Sequence, residues 1–176
     1  MAHVAVTAVG VDRPGIVADV TGALLERGGN LEDTSMTILR GHFSMVLVVA
    51  VPAASDAPAL EAELARRAPD LLVTVRPIGE QPPDVEEGDR WTVSVHGADR
   101  PGMVYEVARL LADRGVNVVD LRTRVIGAAD RPVYAMLLDV TLPAGVDAVE
   151  LDAALHALAG RTGIDCTLHP ADADIL

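Results

Sequence analysis

The sequence carries the tetrapeptide Asp-Arg-Pro-Gly twice, at residues 12–15 and at residues 99–102. Each copy stands between an alternating apolar run, typical of a strand, and an apolar pattern of helical period. We expect the proline in the first helical turn, where its missing amide costs nothing, and the aspartate as the helix cap. The next amides, those of Gly15 and Ile16 in the first copy, are then free beside a glycine that lets a ligand approach. A helix N-terminus of this kind favours an anion such as a carboxylate.

A second repeated residue is the asparagine after each predicted helix, Asn30 and Asn117. A carboxamide donates and accepts hydrogen bonds, so it can hold an α-carboxylate or an α-ammonium group. If two units lie side by side, the loop of one faces the asparagine turn of the other. The structural alternative is that the tetrapeptide only starts a helix and that the asparagine only forms a turn. Helix capping alone does not explain why Arg13 and Asn30 also recur.

These motifs belong to an internal repeat. Shifting the chain by 87 residues places residues 10–33 on residues 97–120, with 12 of 24 positions identical and no gap. Two differences stand out within this window: Val116 replaces Gly29, and Tyr105 replaces Ala18. The two halves therefore need not be equivalent, and one functional site or two are both compatible with the sequence.

The periodicity of each half predicts the order β-α-β-β-α-β. This is an α+β fold of the ferredoxin-like type, repeated twice, with two helices on one face of a four-stranded antiparallel sheet. The predicted domains are residues 1–79 and 91–170, joined by an acidic, Pro- and Gly-containing linker at residues 80–90 and followed by a tail at residues 171–176. In the first half we expect strands over 3–9, 30–39, 43–51 and 71–78 and helices over 14–27 and 56–67. In the second half we expect strands over 91–96, 116–126, 132–142 and 164–169 and a last helix over 147–159.

One strand pattern bears on assembly. Residues 45–51 are apolar at every position and residues 134–138 nearly so, as is typical of strands covered on both faces. Because the helices cover only one face, we expect a homo-oligomer, such as a dimer, with sheet faces packed together.

Composition and motifs exclude several functions. The 176 residues contain 14 Lys and Arg against 26 Asp and Glu, a net charge of −12, without a basic cluster for nucleic acid. The five histidines show no metal-ligand spacing, and no phosphate loop or dinucleotide fingerprint is present. The single cysteine, Cys166, fits a buried small hydrophobe better than a nucleophile. We therefore expect neither an enzyme nor a metal or cofactor site, and with no spanning segment or secretory signal we expect a cytoplasmic protein.

Asp-Arg-Pro-Gly followed by a hydrophobic residue and Val, with Arg-Gly-x-Asn about a dozen residues later, resembles an ACT domain. The resemblance covers nearly the whole chain as a tandem pair, a layout similar to that of the glycine cleavage system transcriptional repressor family. It implies regulation by amino acids bound between domains. The ligand-binding residues expected from the motif and its neighbours are Asp12, Arg13, Pro14, Gly15, Ile16, Asn30 and Leu31, with Asp99, Arg100, Pro101, Gly102, Met103, Asn117 and Val118.

The resulting hypothesis is a regulatory protein with two side-by-side domains that share one eight-stranded sheet. The resemblance suggests that it senses a small amino acid such as glycine or serine. Binding would favour one domain orientation, and a protein partner, in transcriptional regulation or metabolism, would recognise that orientation. The rival hypothesis is a ligand-free scaffold for assembly. Gly15→Val or Asn30→Ala is expected to abolish a ligand response without disrupting folding.

Overall fold

A computed structural model describes residues 2–52, 57–79, 88–126 and 132–171. The chain divides into two compact units, Met1–Pro83 and Asp84–Leu176. Both have the β-α-β-β-α-β order predicted from the sequence, and the α+β, ferredoxin-like fold is confirmed. Residues 80–87 of the predicted linker and residues 172–176 of the predicted tail lie outside the described residues, and the domain boundaries stay a prediction.

The first unit is a four-stranded antiparallel sheet in the order β2-β3-β1-β4. Alternate residues of β1 and β3 point toward the helices, and the buried residues form one core cluster with the apolar faces of both helices. The edge strand β2 is exposed at all ten positions. The elements are β1 (Ala2–Val11), α1 (Ile16–Glu26), β2 (Asn30–Leu39), β3 (His42–Val51), α2 (Ala57–Arg67) and β4 (Leu71–Ile78).

The second unit repeats the architecture with the strand order β6-β7-β5-β8 and a core cluster of its own. Trp91, Val93 and Val95 share the helix-facing side of its first strand, as the alternation predicts. The elements are β5 (Asp89–Ala98), α3 (Met103–Ala112), β6 (Asn117–Ile126), β7 (Val133–Leu142), α4 (Ala148–Thr162) and β8 (Ile164–Pro170).

Two local outcomes show how sequence sets the element boundaries. The strands expected over 30–39 and 43–51 are confirmed, and a hairpin joins them whose turn places Arg40 and Gly41 at φ 51° and 80°, the signs that a type I′ turn requires. The end predicted for the last helix is wrong by three residues. The helix continues to Thr162, whose hydroxyl donates to the carbonyl of Leu158 at 2.7 Å, and ends at Gly163.

Each unit has its own four-stranded sheet, and its central strands are covered by helices on one side. On β3 the helix-facing residues are buried, whereas Val46, on the opposite face, is 47% exposed. The side-by-side pairing of the two units stays a prediction, as does the covering of the second sheet faces.

Candidate functional site

The loop from β1 to α1 is built around a glycine in the left-handed region. Gly15 precedes the helix at φ 92° and ψ −10°, and Gly102 holds nearly the same geometry at φ 94° and ψ −8°. Residues other than glycine rarely adopt this backbone conformation, which explains why glycine recurs at this position in both copies of the motif. The expectation that Gly15→Val leaves folding undisturbed is therefore wrong, because a β-branched residue would be strained there.

The helix caps differ from the sequence prediction. The helices begin at Ile16 and Met103, so the prolines of the motif lie before the first turn, and the glycines occupy the N-cap position. No side chain in the described part of the chain caps either helix, and the capping role predicted for Asp12 and Asp99 is wrong. A glycine at the N-cap has no side chain that could accept a hydrogen bond. The first-turn amides that a capping side chain would bind therefore lack that acceptor. Asp12 instead donates its backbone amide to the carbonyl of Gly41, 2.9 Å away, which ties the loop to the hairpin turn.

A pocket of about 440 Å³ lies beside this loop in the first unit. It brings together four of the residues predicted from the sequence, namely Asp12, Arg13, Gly15 and Ile16. Pro14 is not among its lining residues. Sequence reasoning missed the rest of the wall, which consists of Val17, Ala18 and Thr21 on α1 with Met36 on β2 and Phe43 on β3. The available signal was Phe43, the only phenylalanine in the chain, placed directly after the hairpin turn.

Arg13 is held by acidic side chains of its own unit. Its Nε and Nη2 donate to the carboxylate of Asp70 at 2.6 and 3.1 Å, and its Nη1 lies 3.0 Å from Asp19. These contacts raise the pKa of the guanidinium, and Arg13 in turn lowers the pKa of Asp70. Because two carboxylates of its own unit already neutralise Arg13, this side chain is less available to bind a further anion.

The second unit arranges the same motif differently. Arg100 donates to Glu106 at 3.1 and 2.6 Å, which lowers the pKa of that carboxyl group, and its Nε is buried without a hydrogen-bond partner. Gly163 stands in the second unit at the position that Asp70 occupies in the first. Asp70 directly precedes Leu71, the first β4 residue paired with β1, and Gly163 directly precedes Ile164, the first β8 residue paired with β5. The motif arginine therefore lacks a counterpart to the Asp70 contact.

Helix α3 also differs on its outer surface. Tyr105 stands at the position of the pocket-lining Ala18 and is 71% exposed. It lines a groove of about 400 Å³ between α3 and α4 together with Glu106, Arg109 and Arg161. This groove includes neither Gly102 nor Met103 among its lining residues.

The predicted asparagines lie far from the loop of their own unit. Asn30 pairs with Ala50 at the start of β2, whereas the motif loop follows Val11, which pairs with His42 at the other end of the sheet. The nine residue steps from Asn30 to Leu39 span about 30 Å of strand. Leu31 accompanies Asn30 at this end, and in the second unit Asn117 and Val118 occupy the corresponding end of β6. A site that combines loop and asparagine therefore needs a neighbouring unit, as the sequence analysis expected, and it stays a prediction.

Cys166 is a buried structural residue. It is 3% exposed and packs in the core of the second unit, and its burial raises the pKa of the thiol to about 11. Because the thiolate is the reactive form, we expect alkylation by iodoacetamide at pH 8 to be at least about tenfold slower in the folded chain than in urea. Mass spectrometry over time checks this. Equal labelling rates in the two conditions would contradict the burial argument.

Among the described residues, no group of three or more His, Cys, Asp or Glu side chains is placed to hold a metal ion. The described helices also include none long and apolar enough to cross a membrane.

Two family models of the ACT domain match the chain, over residues 2–77 and residues 91–159. The fold and the loop define a tandem regulatory module, and the chain belongs to the ACT-domain family.

The chain is related to the glycine cleavage system transcriptional repressor of Escherichia coli K12, with 27% identity over 164 residues, 89% of this chain and 83% of the relative. A UPF0237 protein of Lactococcus lactis is 43% identical over 70 residues, 40% of this chain and 79% of the relative. The crystal structure of an unknown protein from Galdieria sulphuraria superposes with a TM-score of 0.82 at 28% identity, over 97% of this chain and 99% of that one.

Proposed function

We propose that this protein is an amino-acid sensor that signals through protein–protein contact, with its principal ligand site at the motif loop of the first unit. The pocket beside Gly15 and Ile16 is the observation that carries the proposal, because it joins uncapped helix amides to an apolar wall. The relationship to a glycine cleavage system transcriptional repressor supports a role in transcriptional regulation. The ligand that we propose is a small amino acid such as glycine or serine.

The proposed binding mode assigns separate groups to the two charges of an amino acid. The amides at the start of α1 hold the carboxylate, since the helix dipole and unpaired N–H groups favour a negative charge there. The carboxamide of Asn30 or Asn117, from the turn of a neighbouring ACT unit, holds the ammonium group. A ligand that bridges two units stabilises one relative orientation of them and thereby shifts the population that a partner protein recognises.

The first unit is the better candidate for this site. Helix α1 carries Ala18 where α3 carries Tyr105. The motif arginine of the first unit, Arg13, is paired with Asp70 and Asp19. A first-turn carboxylate does not distinguish the two units, because Asp19 and Glu106 hold equivalent positions and each lies beside the motif arginine of its own unit. We assign the second loop a weaker affinity for the ligand because the exposed ring of Tyr105 stands where the first unit has Ala18.

We expect a thermal-shift screen against the twenty amino acids to give one clear stabilising ligand, with calorimetry to confirm it. At 100 times its dissociation constant a ligand stabilises the folded state by about 2.7 kcal/mol. Asn30→Ala and Asn117→Ala test whether the stabilisation by the ligand depends on the asparagine carboxamide. Asn30→Asp is a more conservative test of the same group. A flat screen with every amino acid would contradict the proposal.

The second candidate function is a ligand-free scaffold that mediates assembly. The observation in its favour is the β2 edge, which is exposed at all ten positions and has no further strand beside it among the described residues, so that it can accept another strand. Under either function we propose a homo-oligomer. The two differ in the outcome of the screen, because a scaffold assembles equally well with and without amino acids.

A further inference from the structure

The outer faces of the two sheets differ in chemistry, although the two units share one fold. We call the face of the first sheet that points away from α1 and α2 the open face. Its central strands present the uncharged residues Ala5, Thr7 and Val9 on β1 and Val46 and Val48 on β3. The same face carries two histidines near strand ends, His3, whose Nε2 lies 3.3 Å from the carboxylate of Glu32, and His42. Leu72 on β4 adds a large apolar side chain that is 73% exposed.

The corresponding face of the second sheet is charged. Arg122 lies 2.6 Å from Asp120 and 3.8 Å from Asp139, and the hydroxyl of Thr92 donates to Asp139 at 3.0 Å. Leu137 occupies the position of Val46 and is equally exposed, at 45% against 47%, but its β6 neighbour is Arg122. Burial of such an ion-pair network against an apolar surface would cost its solvation.

The charges of the open face lie at its two edges. One row across the sheet runs from Asp33 on β2 through Val48 and Ala5 to Arg76 on β4. The two charged ends are three strand spacings apart, about 14 Å, which is too far for a direct pair. Within the part of the chain that the structure describes, neither of them has an ion-pair partner.

A second copy of this chain supplies an oppositely charged partner for the residue at each edge. A two-fold axis between the sheets, parallel to the strands and midway between β1 and β3, places β4 of one copy over β2 of the other. The same operation keeps each row at its own height, so Arg76 meets Asp33 of the partner subunit, and the reciprocal pair forms at the opposite edge. Two sheets packed in this way lie about 10 Å apart, a gap that an arginine and an aspartate can bridge.

The size of the face fits a dimer. Four strands of about eight residues cover roughly 19 by 26 Å, so two copies bury about 1,000 Å² in total, the minimum for a biological interface and the size expected of a weak dimer. We propose that the open face of the first sheet is the self-association surface of this protein, that Arg76 and Asp33 set its register, and that the second sheet takes no part in it.

The apolar part of the proposal is tested with one matched pair of variants. We expect sedimentation velocity of the full chain to show a dimer, and Val46→Arg to raise its dissociation constant at least about tenfold. Leu137→Arg, at the matching and equally exposed position of the second sheet, leaves the dimer unchanged. A monomeric wild-type chain, a Val46→Arg variant that still dimerises, or a Leu137→Arg variant that dissociates would each overturn the proposal.

The register is tested by charge reversal at exposed positions. Because the carboxylate of Asp33 also accepts the amide of Thr34 at 2.8 Å, the melting temperature of each variant is measured as a check on folding. Arg76→Glu and Asp33→Arg each place like charges together twice per dimer, and each weakens association. The double variant restores the opposite pairing and recovers the wild-type dissociation constant within about threefold. Failure of the double variant to recover overturns the two-fold arrangement. The result is independent of amino-acid binding, because the motif pocket lies on the helix side of the sheet.

Discussion

Leu47→Ala is expected to lower the free energy of unfolding of the first unit by about 2–5 kcal/mol. Leu47 is fully buried on the helix-facing side of β3, between Val6 on β1 and Thr34 on β2. Truncation to alanine removes its contacts and leaves a cavity in a core of Val, Leu, Ile and Ala side chains with few large neighbours to fill it. Each kcal/mol lost corresponds to about 4–8 °C in the melting temperature of a domain of this size.

Leu138→Ala is the matched control, because Leu138 is fully buried at the corresponding position of β7. Among the described residues, the core cluster around Leu47 contains only residues of the first unit, and the cluster around Leu138 contains only residues of the second. Hydrogen exchange followed by mass spectrometry reports both units in one experiment. We expect Leu47→Ala to reduce protection in peptides from residues 2–52 and Leu138→Ala in peptides from residues 132–171. A loss of protection spread evenly over both units in either variant would contradict the division into two cores.

Sequence periodicity predicts the strands and helices because most of them are amphipathic. The alternation of Val4, Val6 and Ala8 identifies a half-buried strand, and the structure buries these three residues. The same pattern does not determine where a helix starts. Asp-Arg-Pro-Gly has the composition of a capped first turn, yet the helix begins one residue after the motif because its glycine takes the left-handed conformation.

The candidate site was only partly predictable for a related reason. Residues next to each other in the sequence, such as Arg13 and Gly15, are recognised by their repetition. Met36 and Phe43 reach the same pocket through strand pairing. Phe43 stands out as the only phenylalanine of the sequence, but a single sequence holds no sign that Met36 faces the loop. The binding of Arg13 by Asp70 depends on a contact between residues 57 positions apart.

Exchange of one residue between the two helices is expected to remove the proposed amino-acid site. Ala18→Tyr introduces into the first unit the side chain that Tyr105 places on the second. Ala18 is exposed on α1 and lines the pocket beside Gly15, so the ring would occupy the pocket and not the core. We expect the amino acid identified in the screen to bind at least about 100-fold more weakly, which corresponds to about 2.7 kcal/mol.

The reverse exchange is the control. Tyr105→Ala changes a helix position of the second unit that is also exposed, and it is expected to leave the affinity of the first site unchanged, as measured by calorimetry. Both variants should melt close to the wild-type temperature without ligand, because neither position is buried and both residues are tolerated on a helix surface. If Tyr105→Ala weakens binding and Ala18→Tyr does not, the ligand site belongs to the second unit. The two variants therefore test whether the ligand site belongs to the first unit. Each introduces a residue that the chain already accommodates at the equivalent position of the other helix.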